Sequence, residues 1–163
     1  MKIYTLHRTQ KLPITQEEAW NFLSDPHNLG RITPKGMDFR ILSGADRPMF
    51  AGQIIEYTVK PLAGISTKWV TEITHCVKNH YFVDEQRYGP YALWHHKHFI
   101  RPVAGGVEME DLIHYKLPLG ILGQLAHGLF VKDKLNGIFE FRNKVLEEKA
   151  GTLTSNNQSL FFF

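Results

Sequence analysis

Two stretches of alternating residues, joined by a glycine pair, constrain this chain more than anything else in it. Trp94 to Ile100 puts Trp94, His96, His98 and Ile100 on one side of an extended backbone. Met109 to Tyr115 puts Met109, Asp111, Ile113 and Tyr115 on one side. Residues two apart share a face of a strand, so each stretch has one mainly apolar face that needs a cover. Gly105-Gly106 between them reads as the hairpin turn. With that face inward, two imidazoles and a carboxylate sit among apolar side chains. Buried ionisable groups are costly unless paired, so such a cluster marks a candidate site.

The rest of the centre follows the same period. Ile3 to Leu12 reads as a strand ended by Pro13, and Thr15 with Glu18 forms a capping box for a short helix carrying Ala19, Phe22 and Leu23 inward. Asp25-Pro26 opens a second short helical segment. Strands are expected at Phe39 to Leu42, Gly52 to Lys60, Thr67 to Val77 and Tyr81 to Arg87, with turns at Pro61 to Gly64 and Lys78 to His80. Tyr91 to Arg101 and Val107 to Leu117 form the last hairpin. Strands linked this way favour an antiparallel meander.

After Pro118 the period changes. Leu135, Ile138, Phe139, Val145 and Leu146 recur at helical spacing, which predicts one long helix from Gly120 to Lys149. Gly123, Gly128 and Gly137 weaken it and permit a bend. Ile121 to Val131 is apolar almost all round, so burial against the sheet is expected there. Gly151 is expected to end the helix. The division is one domain over residues 1–150 and a polar tail over 151–163, closing on Leu160-Phe161-Phe162-Phe163. That apolar end is either inert or a docking segment. A sheet with one bare face and a helix to cover it makes an α+β domain, and the space between them suits a small apolar ligand.

Composition removes several classes. Length 163, with 43% hydrophobic and 21% charged residues, is ordinary for one globular domain. Net charge is +3, but Lys and Arg are scattered without a patch or aromatic platform, so no nucleic-acid partner is expected. The single Cys76 excludes an intramolecular disulfide and suits a reducing, cytoplasmic setting. No signal-like start is read, and Leu117 to Val131 is too short and polar for integral membrane insertion.

The element order and several motifs resemble the START/Bet v 1-like superfamily, the SRPBCC or helix-grip proteins, and within it a bacterial ligand-binding subgroup. Asp25-Pro26 with Asn28-Leu29, Thr33-Pro34, Gly52 with Tyr57, and Trp69 with Thr71 and Ile73 carry the likeness. So do Phe82 to Gln86 running into Gly89-Pro90-Tyr91, Trp94 to Phe99, and Asp111 to Tyr115 with Pro118. It covers about residues 1 to 149, and the phenylalanine-rich tail departs from it. The resemblance implies a curved antiparallel sheet of about seven strands, two short helices after the first strand, and a long C-terminal helix over the sheet. It also implies lipid-, quinone- or polyketide-like ligands, or cyclase and dehydratase activity. Fold and task are separable in this superfamily.

The polar cluster has four readings. Asp84 and Gln86 share a face of one strand, His96 and His98 of the next, and Asp111 belongs to the third. A satisfied network that fixes strand register is the plainest. Recognition of a ligand's polar head is the second, with Tyr57, Trp69, Asp84, Gln86, Trp94, His96, His98, Asp111, Ile113, Tyr115, Leu125 and Leu129 as candidate ligand-binding residues. The third is acid–base catalysis by a His–Asp pair, with His96, His98 and Asp111 as candidates, although no nucleophile or oxyanion device is visible. The fourth is a metal. His96 and His98 would sit about 6.5–7 Å apart at Cα, with Asp111 or His114 as a third ligand. That set is thin, so no metal and no cofactor are expected. The functional expectation is a carrier or sensor for a small hydrophobic molecule. The alternatives are a cyclase-, dehydratase- or hydrolase-type enzyme and an interaction module that pairs through tail or helix.

Overall fold

Seven strands form one antiparallel sheet in the order β1-β7-β6-β5-β4-β3-β2. The structure, a computed structural model, describes residues 2–61 and 65–159. The turn expected at 61–64 falls outside these at 62–64, as does the Leu160 to Phe163 tail. The strands are β1 (Tyr4–Leu12), β2 (Arg40–Ser43), β3 (Gln53–Val59), β4 (Thr67–Val77), β5 (Tyr81–Tyr88), β6 (Leu93–Val103) and β7 (Gly106–Lys116). Between β1 and β2 lie α1 (Gln16–Leu23) and two 3₁₀ segments, Pro26–Ile32 and Lys35–Met37. After β7 come α2 (Gly120–Ala126), a π-helical turn (His127–Val131) and α3 (Lys132–Ser159). This is the expected α+β architecture.

Local chemistry accounts for the boundaries. Thr15 caps α1: its hydroxyl accepts from the Glu18 amide at 3.1 Å, and Glu18 Oε2 accepts from the Thr15 amide at 2.8 Å. Asp25 accepts from the His27 amide at 3.0 Å and opens the first 3₁₀ segment, with Pro26 at its start. The β6–β7 hairpin turns one residue earlier than expected. Val103 pairs with Gly106, so Ala104 and Gly105 form the loop, and Gly105 takes φ +81°. Gly106 instead begins β7, where a Cβ would lie 2.1 Å from the Leu12 carbonyl oxygen. Register shifts in β4, at Val70/Thr71 and Ile73/His75, bend the sheet.

The inner face of the sheet carries the alternation read from the sequence. Trp94, His96, His98 and Ile100 of β6 are buried, as are Val107, Met109, Asp111, Ile113 and Tyr115 of β7. Helix α3 covers that face with a stripe of Leu135, Phe139, Arg142, Leu146 and Ala150, continued from Val131 of the π turn. It is tied to β1 by Arg8 Nη2 donating to Asn136 Oδ1 at 2.6 Å and Gln10 Nε2 donating to the Asn143 carbonyl at 2.8 Å.

Two expectations for the C-terminal region are corrected. The long helix itself is present as one run from Gly120, with a π turn containing Gly128 inside it. It does not end at Gly151 but continues to Ser159. Its first part is not buried. Ile121, Leu122, Leu125, Leu129 and Phe130 are between 49% and 77% exposed. The stripe from Val131 to Ala150 already covers the inner face, which leaves the apolar residues of α2 outside it. His127 tethers this part, with its Nε2 2.8 Å from Tyr115 Oη and its ring stacked on Tyr4.

Candidate functional site

Strand register assembles the polar cluster. Asp84 on β5 lies opposite His96 on β6, and Asp111 on β7 lies opposite His98. Each aspartate is therefore opposite one histidine and diagonal to the other, within reach of both. Asp111 Oδ1 lies 2.9 Å from His96 Nε2 and 3.0 Å from His98 Nδ1, the latter close but out of line for a hydrogen bond. Asp84 Oδ2 lies 2.7 Å from His98 Nε2 and 3.5 Å from His96 Nδ1. Arg142, from the buried stripe of α3, brings Nη2 to 3.2 Å from the same Asp111 Oδ1. The ring of two carboxylates and two imidazoles thus has a guanidinium beside it.

Burial and pairing compete at each group. Burial works against ionised Asp111, yet the Arg142 charge and the two imidazoles outweigh it and hold the carboxyl well below the usual carboxylate range. Asp84 is lowered too, against its burial, by His96 and His98. The histidines diverge. Burial, reinforced by the charge of His98, pushes His96 down to about 4. Burial also opposes charge on His98, but Asp111 and Asp84 outweigh it, and its pKa is raised. Phe82 stacks on His98 with ring centres 4.0 Å apart, and Trp94 and Phe139 both stand edge-on to His96. These aromatic side chains pack against the two imidazoles.

A cavity of about 200 Å³ lies between the sheet, the 3₁₀ segments and α3. Its wall is mostly aromatic and aliphatic; Asp84, His96, His98 and Arg142 line it at the cluster, and Asp25, Asn28, Thr33 and Thr71 add polar groups to the wall. Of the residues expected to bind a ligand, Tyr57, Trp69, Asp84, Trp94, His96 and His98 do line it. Trp69 Nε1 and Arg142 Nε are buried without a hydrogen-bond partner among the described residues.

The remaining candidates lie elsewhere. Asp111 is not part of the wall and holds the histidines and Arg142 together. Ile113 is fully buried in the core, and Tyr115 is committed to His127. Gln86 closes the loop before β6, donating to the Tyr91 carbonyl at 2.7 Å and accepting from the Tyr91 amide at 3.1 Å. Leu125 and Leu129 are 59% and 77% exposed and do not border the cavity. Arg142 escapes a periodicity reading, which counts apolar positions only. Its signal is a charged residue in the stripe Leu135, Phe139, Arg142, Leu146, where a solvated arginine would not stand.

No protein-family model and no curated protein matches the chain. Solved structures do. TTHA0849 from Thermus thermophilus is similar at TM-score 0.73 and 16% identity, over 92% of this chain and 99% of that one. A START superfamily protein from Mycobacterium smegmatis is similar at TM-score 0.68 and 16% identity, over 91% and 98%. Ginseng major latex-like protein 151 from Panax ginseng is similar at TM-score 0.67 and 10% identity, over 91% and 97%. At such identities likeness speaks for fold and not for task. Seven antiparallel strands closed over by a long terminal helix, shared with these structures along nearly the whole chain, give this protein the START/Bet v 1-like helix-grip fold.

Proposed function

We propose that the protein binds a compact hydrophobic molecule in the cavity between sheet and α3, with the molecule's polar end against the histidine–aspartate–arginine cluster. One observation carries this reading: a mainly apolar cavity of about 200 Å³ is lined by a cluster of buried ionisable groups, His96, His98 and Arg142 with Asp84 beside them. A cavity of about 150 Å³ accepts benzene, so this one suits one or two rings. That selects the compact, ring-bearing end of a lipid-, quinone- or polyketide-like range. Trp69 Nε1 and Arg142 Nε can donate and cannot accept, which favours a ligand with an acceptor oxygen.

The test is calorimetric titration with acetylnaphthalene, a bicyclic carrying one carbonyl, beside native mass spectrometry of the freshly purified protein. Ile138 lines the cavity from α3, and Ile138→Trp fills it. Binding by the wild type and a loss of about tenfold or more in the variant support the reading, since displacing apolar contacts of this size is worth over 1 kcal/mol. Equal affinity in the filled variant, or no binding of the probe and no co-purifying small molecule, overturns it.

A further inference from the structure

The cluster holds an arrangement that ligand recognition does not require. Asp84, His96 and His98 each offer one donor atom, and the three atoms lie within 4.8 Å of one another. Asp84 Oδ2 is 2.7 Å from His98 Nε2 and 3.5 Å from His96 Nδ1. Three donors around one tetrahedral ion at about 2.0–2.2 Å stand about 3.3–3.6 Å apart, so modest side-chain shifts separate this geometry from ligation. Each imidazole turns its other nitrogen toward Asp111, at 2.9 and 3.0 Å. Metal-bound histidines characteristically present the second ring nitrogen to a carboxylate, which fixes ring orientation and raises basicity. Here one carboxylate faces both rings, hydrogen-bonded to His96 and close to His98 Nδ1 but out of line with it, and is itself held by Arg142.

We propose that Asp84 Oδ2, His96 Nδ1 and His98 Nε2 form a binding site for one divalent transition-metal ion, with Asp111 orienting both imidazoles. Two nitrogens and one oxygen suit zinc, cobalt, nickel or ferrous iron, whereas calcium and magnesium favour oxygen alone. Charge agrees. Once both imidazoles have given up any proton to ligate, two carboxylates and one guanidinium leave one negative charge in a buried site, which the cation offsets. The positive charge of Arg142 is met by Asp111 rather than by the ligating carboxylate. All three ligating residues line the cavity, so coordination positions remain for water or the head of a bound molecule. The third ligand is then Asp84, and neither Asp111 nor His114. Metal binding needs no organic ligand, so this inference stands or falls separately from the proposed function.

Chelator-treated full-length protein, titrated with cobalt(II) by visible absorption and with zinc(II) by calorimetry, tests it. The expected result is one ion per chain. His96→Gln, His98→Gln and Asp84→Asn each abolish binding, Asp111→Asn weakens it by about 10–100-fold, and His114→Gln leaves it unchanged. Should a variant fail to fold, imidazole nitrogen resonances of the wild-type protein answer the question: zinc moves those of His96 and His98. No ion bound at about 100 μM, binding that survives loss of both histidines, or shifts confined to surface histidines such as His7 and His27 would overturn the assignment.

Discussion

Replacing Asp111 with asparagine keeps the side chain's shape and removes its charge. Asp111 is 6% exposed, and its Oδ1 serves His96, His98 and Arg142 at 2.9, 3.0 and 3.2 Å. In the variant Arg142, also 6% exposed, loses its close counterion while its Nε already lacks a partner among the described residues. Removing one member of a buried pair typically destabilises by about 3–5 kcal/mol, because the other charge stays desolvated. That is a large part of a domain's total of about 5–15 kcal/mol. At about 2–4 °C per kcal/mol for this size, Tm should fall by about 6–20 °C. The assay is urea unfolding followed by circular dichroism at neutral pH, with Arg142→Met and the double variant beside it. The double variant removes both charges, so its loss should be smaller than the sum of the singles by about 1–3 kcal/mol. The Asp111 carboxyl sits well below its ordinary value of 3.8, so the stability it contributes is present above that value and lost only as pH falls through the folded pKa. The gap between wild type and variant should therefore persist down to about pH 4. A single-variant loss under about 1 kcal/mol, or strict additivity in the double, would refute the account of a coupled buried network.

Two further outcomes follow from burial at other positions. His96 is held near 4 in the folded protein against 6.5 ordinarily, so the unfolded chain takes up this proton first as pH falls. Folding should lose about 3 kcal/mol through this group between those two values, at about 1.4 kcal/mol per unit. His98 acts in the opposite sense: its raised pKa contributes stability that is present below 6.5 and lost as pH rises through the folded value. Unfolding curves of wild type and His96→Gln at several pH values isolate the first effect, and a wild-type-to-variant difference that does not change between pH 6.5 and 4 counts against it. Leu125→Gln and Leu129→Gln should each change stability by no more than about 0.5 kcal/mol, because both side chains are already in water. A cavity-sized loss of about 2 kcal/mol or more in thermal unfolding would show those leucines buried after all.

The sheet is readable because its signal is local. Alternation in β6 and β7, the capping box at Thr15, and the glycine and proline punctuation each state a backbone preference within a few residues, and the strands appear where these stand. What fails is the meaning of apolar residues without a partner in sequence. Ile121 to Phe130 reads as buried by composition, but burial depends on what else covers the sheet, and α3 does that with residues further along. The same reasoning misplaces Leu125 and Leu129 at the cavity. Gln86 shares a strand face with Asp84, yet a backbone clasp on Tyr91 claims it.

The cluster marks a second boundary of what alternation can say. A period of two names the residues that face inward but leaves open which of them meet across strands. Sliding β6 by two residues would keep every inward side chain inward and still bury Trp94 and Ile100. It would also set Asp84 against Trp94 or His98 and, in one direction, leave Asp111 without an opposite imidazole. An apolar core penalises such a slip weakly, whereas a buried carboxylate stripped of partners penalises it by several kcal/mol. The four strand residues therefore act on the fold as well as in the cavity: they single out one register among those that hydrophobic packing alone would accept. Arg142 extends the same discrimination to the helix, because α3 must be placed, in rotation and along its axis, so that one guanidinium reaches Asp111.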